Sequence, residues 1–138
     1  LMKELKILVA ALHLNKHITF SGRMSKVEWT KLSNNYDIFI NTTNYDNHPV
    51  SIIEAMALGL PVISTNVGGI NDLIQDEQNG LLVDKADIMA MAEKIKCLIN
   101  GEIDAQRISI NARKLVEKFD SSIIIKKWED IISPVYKT

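Results

Sequence analysis

The chain has 138 residues, 46% hydrophobic and 24% charged, with a formal net charge of −1 from 16 basic and 17 acidic side chains; this suits one globular domain with a single core and gives no basic field for general nucleic-acid binding. Its one cysteine, Cys97, allows no internal disulfide, no Cys/His cluster has metal-ligand spacing, and no apolar run approaches the about 18 residues of a membrane span. These features predict a cytoplasmic protein, with Cys97 a reduced and buried thiol and no metal site.

In chain order, Leu5, Leu8, Val9 and Leu12 recur at helical spacing and predict a helix over 2–14. Its alternating charges are not those of a signal peptide, and further chain is expected upstream of Leu1. Residues 17–22, with Ile18, Thr19 and Phe20 ahead of Gly22, read as a strand. Residues 26–35 read as a helix with Ser25 as N-cap. The run Ile38-Phe39-Ile40 predicts a buried strand over 37–42, and a polar loop follows over 43–48. Pro49 opens a helix over 50–58 that Gly59 stops. A strand is expected over 61–65, a Gly68-Gly69 turn into a short helix over 70–75, and a fourth strand over 80–83. Three closing helices are expected over 84–101, 104–119 and 121–136, the last carrying Trp128 as a core or interface anchor.

Alternating short apolar strands and helices predict an α/β fold with a parallel sheet and helices on both faces. Right-handed crossovers then gather the strand-to-helix loops at one edge, where open α/β folds bind ligands. The loops in question are 22–25, 42–49 and 66–69.

The informative stretch is NTTNYDNHPVSIIEAMALGLPVIST, residues 41–65. Asp46 lies three residues before Pro49, and the helix behind it is expected to present free N–H groups near Val50, Ser51 and Ile52, a setting that favours phosphate. Glu54 is the only charged side chain on that otherwise apolar helix, and a carboxylate there is costly to bury without partners. A ribose diol could supply two hydrogen bonds to it, and Asp46 could serve hydroxyls of a second group beyond the phosphates. The plainer readings remain open at this point: Asp46 as a turn residue, His48 as a loop histidine, Glu54 as a paired or capping acid.

Taken together, these residues resemble the C-terminal domain of the retaining glycosyltransferases called family 4 or group 1, of GT-B type. The resemblance runs over nearly the whole chain. It includes Ile18 to Gly22, Tyr36 to Ile40, the acids Asp46 and Glu54 with seven residues between them, the stretch Glu54 to Ile63, Asn66 to Gly69, and Asn79 to Val83. The resemblance implies a three-layer Rossmann-like domain, one half of a GT-B architecture, that binds a nucleotide-sugar donor (UDP- or GDP-linked) without a further cofactor or metal. Glu54 would bind the ribose and Asp46, the residue assigned to catalysis, the donor sugar. Asn47, His48, Pro49, Val50 and Ser51 would offer backbone N–H groups or shape to sugar and diphosphate, and Gly22 and Arg23 would lie beside the base.

The chain departs from the family pattern at three points. Its first acid is Asp46 where Glu is usual. Asn47 and His48 stand where small residues are usual. The family's opening strand, Gly-rich loop and basic pair do not precede Leu1. Residues 1–138 are therefore expected to be an N-terminally incomplete donor domain, inactive alone. Its acceptor, a glycan or lipid-linked glycan in cell-surface polysaccharide synthesis, would be held by an absent N-terminal domain. That domain would also cover part of the last helix, and the parent would work at the inner face of the membrane. Two other classes fit the same residues: a sugar-nucleotide epimerase, for which His48 is the one cleft histidine, and a non-catalytic nucleotide-sugar-binding module.

Overall fold

The computed structural model describes residues 1–133. The chain divides into two compact units, Leu1–Lys31 and Leu32–Thr138.

The first unit contains α1 (Met2–Ala11) and the start of α2 (Lys26–Ser33). Ser25 begins α2 as expected, through a reciprocal capping box. The Glu28 N–H donates to Ser25 Oγ (3.3 Å), and the Ser25 N–H donates to Glu28 Oε2 (2.8 Å). That backbone hydrogen bond, joined by one from the Ser25 hydroxyl, holds the Glu28 carboxyl below the usual glutamate range. The strand expected over 17–22 does not form. His17 and Ile18 instead turn back, both N–H groups donating to the Leu14 carbonyl. β-Prone residues make a strand only beside another strand, and residues 1–31 contain none.

The second unit is a parallel three-stranded sheet in the order β1 (Phe39–Asn41), β2 (Val62–Thr65), β3 (Leu81–Val83), so the sheet has one strand fewer than expected. Phe39 pairs with Val62, and Ile63 with Leu81. The helix α3 (Val50–Ala57) packs on β1 and β2, and α5 (Ile88–Ile99) packs on β2 and β3. Between them in sequence lies the short α4 (Ile70–Leu73). Ile63 and Leu81 form a buried cluster with Leu98 of α5 and Ile108 of α6 (Ala105–Val116). β2, buried at all four positions, is the centre of the unit. The class is the α/β one with a parallel sheet that the alternation of elements predicts, and the Rossmann-like one that the resemblance implies.

The closing helices start where an aspartate can accept the first free N–H groups. Asp87 caps α5 through Ala90, Asp104 caps α6 through Arg107, and Asp120 caps α7 (Ser121–Ile132) through Ser122. A 3₁₀ turn, Glu117–Phe119, separates α6 from α7. The helix expected over 121–136 is seen to Ile132, and its remainder from residue 134 lies outside the described residues. None of α7 is buried, and Trp128 is 59% exposed, so it is not part of this chain's core. Cys97 is half-buried rather than buried, because its thiol turns outward to donate to Glu102 Oε2 at 3.3 Å.

Candidate functional site

β1 ends at Asn41, and the chain then loops out at the carboxyl edge of the sheet. Side-chain bonds fix the base of this loop. The Asn41 amide donates to Ser64 Oγ (3.3 Å), and the Thr65 hydroxyl donates to the carbonyl of Thr43 (2.6 Å). Thr43 Oγ1 donates onward to the Tyr45 carbonyl. Adjacent parallel strands thus anchor the first half of the loop to the end of β2.

The second half carries Asp46. Its Oδ1 accepts the His48 N–H at 3.1 Å, an Asx turn that delivers the chain to Pro49 and α3. The turn reading of Asp46 is therefore real, and it engages one carboxylate oxygen. Pro49 is buried and precedes the first helical residue with φ −76°. The expected row of free N–H groups is shorter than the sequence implies. The Val50 N–H donates to the His48 carbonyl, and the Ile52 N–H to the Pro49 carbonyl. Pro49, at φ −76° and ψ 82°, forms an inverse γ-turn that offers the His48 carbonyl to the Val50 N–H. The Ser51 N–H alone of these three has no partner among the described residues.

Glu54 follows one turn later, half-buried on a helix whose Ile52, Ala55 and Met56 are fully buried. It lines a groove of about 530 Å³ with Ile53, Ala57, Val116 and Phe119 as apolar wall and Arg113, Glu117 and Asp120 around it. That volume is within the range of small-molecule sites. The Phe119 ring meets the His48 imidazole edge-on, with centroids 6.3 Å apart. His48 is exposed, as are Asn47, Val50 and Ser51, and Asp46 is half-buried.

The turn after β2 completes the site. The Gly69 N–H donates to the carbonyl of Asp46 at 2.9 Å. The structure thus brings the 42–49 and 66–69 loops together. Gly22 (φ +69°) and Arg23 are exposed and belong to the first unit. One contributor escapes the sequence reading altogether, and another is legible only as a turn. Phe119 has no sequence signal, lying in a 3₁₀ turn far along the chain. The Gly68-Gly69 doublet after a strand was visible as a turn, but not as the support of the acid loop. Among the described residues, no His, Cys, Asp or Glu cluster could hold a metal ion, and no helix is long and apolar enough to cross a membrane.

Residues 2–115 match the family described as Glycosyl transferases group 1. The capsular polysaccharide biosynthesis glycosyltransferase CapM of Staphylococcus aureus is 43% identical over 106 residues, which is 76% of this chain and 27% of CapM. The C-terminal domain of a glycosyl transferase group 1 family protein, LpcC of Francisella tularensis, superposes with a TM-score of 0.76 and 29% identity over 85% of this chain and 60% of that one. Anabaena HepE, solved in complex with UDP, superposes with a TM-score of 0.87 and 25% identity over 96% of this chain and 36% of HepE. The chain thus spans about a third or less of the length of CapM and HepE.

Proposed function

Since the chain belongs to the glycosyl transferases group 1 family, we propose that it is the donor-binding part of a retaining family 4 enzyme, which moves a hexosyl group from a nucleoside diphosphate sugar to an acceptor glycan. The observation that carries this reading is the placement of the two acids on one loop–helix unit. Asp46 stands at the loop that enters α3, and Glu54 is one turn inside the helix, on an apolar face beside a groove of ligand size. Glu54 accepts from the ribose hydroxyls. The Ser51 N–H faces the diphosphate, whose negative charge the helix start favours. Asp46, with one oxygen committed to His48, uses the other for a hydroxyl of the sugar.

In the reaction the bond from the anomeric carbon to the diphosphate oxygen breaks. A bond from the same carbon to an acceptor oxygen forms, and the acceptor proton passes to the departing diphosphate. The helix-start dipole stabilises charge on the departing diphosphate. Further cationic groups and the acceptor site come from the part of the enzyme this chain does not span. UDP is the first nucleotide to test, since it is the one held by HepE. A capsular or other surface glycan is the acceptor class favoured by the likeness to CapM. A lipid-linked acceptor of that class would put the reaction at the cytoplasmic face of the membrane.

The test is product analysis with the full-length protein, UDP- and GDP-sugars and a panel of glycan acceptors. Transfer with the donor's anomeric configuration, read by NMR of the product, is expected. An epimerised nucleotide sugar, or binding without turnover, would replace this reading with the epimerase or the non-catalytic module.

A further inference from the structure

Gly69 has an ordinary backbone. Its φ of −78° and ψ of 3° are open to any residue, so conformation does not require glycine there. Space does. A Cβ on Gly69 would stand 3.0 Å from the carbonyl carbon of Asn47 and closer still to its oxygen. Gly68, at φ +53°, is restricted on both counts, since a Cβ there would stand 3.1 Å from the carbonyl carbon of Asp46 and again closer to the oxygen. These are backbone atoms, which cannot swing aside as a side-chain tip can. The other glycines at positive φ, Gly22, Gly59 and Gly101, have nothing within 4 Å of an added Cβ. A Cβ on Gly80 would also be crowded, at 2.9 Å from Cγ2 of Ile74, but that neighbour is a side chain; overlap with backbone is specific to the turn behind the acid loop, and the Gly69 N–H bond to the Asp46 carbonyl closes it.

From this packing we infer that Gly69, with Gly68, is a positioning residue for sugar transfer: the bare backbone of the turn sets how deep the Asp46–Asn47 loop sits, and so where the Asp46 carboxylate meets the donor. The inference rests on the proposed role of Asp46. Nucleotide contacts are set separately, because Glu54 is fixed by the packing of α3 on the sheet. A methyl at position 69 must lift the loop by roughly an ångström, and a misplacement of that size costs on the order of 100-fold in rate.

The test compares Gly69→Ala with Gly101→Ala in the full-length protein. Gly101→Ala carries a positive-φ penalty (φ +74°) but no overlap, and so controls for lost stability. Gly69→Ala is expected to lower kcat about 100-fold while KM for the donor and the affinity for bare UDP hold. Gly101→Ala should leave all three unchanged. An undiminished kcat for Gly69→Ala, an equal loss in both variants, or a parallel loss of UDP binding would overturn the inference. If the wild-type protein transfers no sugar, it is the functional reading that fails. The positioning claim is then judged, as it also is if Gly69→Ala does not fold, by amide exchange in the wild-type protein. Protection of the Gly69 N–H matching that of β2 supports a loop seated on the turn, and exchange at the rate of an open loop overturns it.

Discussion

The Arg113 guanidinium donates from Nη1 to the carbonyl of Ala57 at 2.6 Å, so a side chain of α6 closes the carboxyl end of α3. The last carbonyls of a helix have no internal partner, and a cation there also meets the negative end of the helix dipole. The Arg113 side chain is 58% exposed, and solvent tempers the gain. Arg113→Ala is expected to cost about 1 kcal/mol. In urea unfolding the midpoint should fall with the slope unchanged, and an unmoved midpoint would show that water caps α3 equally well.

Glu54→Gln should weaken nucleotide-sugar binding in the full-length protein, because an amide oxygen accepts less strongly than a carboxylate and adds a donor facing the ribose donors. Losing a charge-assisted hydrogen bond costs about 1.5–3 kcal/mol. Calorimetry with donor and with bare UDP should show the same loss for both. An unchanged dissociation constant removes Glu54 from the ribose.

For Asp46, two substitutions separate the turn from the chemistry. Asp46→Asn keeps an oxygen to accept the His48 N–H and so preserves the loop, whereas Asp46→Ala loses both the turn and the charge. Both are expected to reduce transfer strongly while UDP binding survives. If Asp46→Asn transfers like the wild type, the residue serves only its Asx turn.

The Cys97 thiol donates to Glu102, and this bond, with some desolvation and the carboxylate charges nearby, raises its pKa above the ordinary cysteine value of about 8.5. The reactive species is the thiolate. Alkylation by iodoacetamide should therefore rise with pH later than for a free cysteine. Glu102→Gln removes the charge and should speed the reaction at pH 8. Equal rates would show that access, not ionisation, controls this thiol.

What the sequence made legible is whatever depends on local chemistry. Period and punctuation locate α3, β2 and β3, since Pro49 and Gly59 bracket the helix and the strands are short apolar runs. Ser25 is legible as the N-cap of α2 from its place ahead of the helix, whereas its partner Glu28 is seen only in the structure. What failed needed a partner from elsewhere. The 17–22 segment has strand composition but no neighbouring strand in its own unit. Cys97 has the habits of a buried residue but a hydrogen-bonding acid five residues on. The helix-start donors at Val50 and Ile52 were counted from the end rule, yet the tight turns around Pro49 use both. Of the candidate site, the placement of the two acids on a loop and on the helix behind it is legible from their spacing and resemblance. The contact of His48 with Phe119 and the pressure of Gly69 on Asn47 join distant segments and were not.

The strand order has a kinetic consequence. β1, β2 and β3 lie in the sheet in the order in which they occur along the chain, so each parallel pairing closes a single loop containing one helix. Loop closure becomes costlier as loops lengthen, and topologies rich in near-neighbour pairings fold faster than those that must wait for remote strands. The second unit can thus assemble one strand–helix repeat at a time, with β2 as the common template for both partners. In such an order the acid loop and its glycine support, which belong to the two strands joined in one pairing step, would meet before α6 packs on α3.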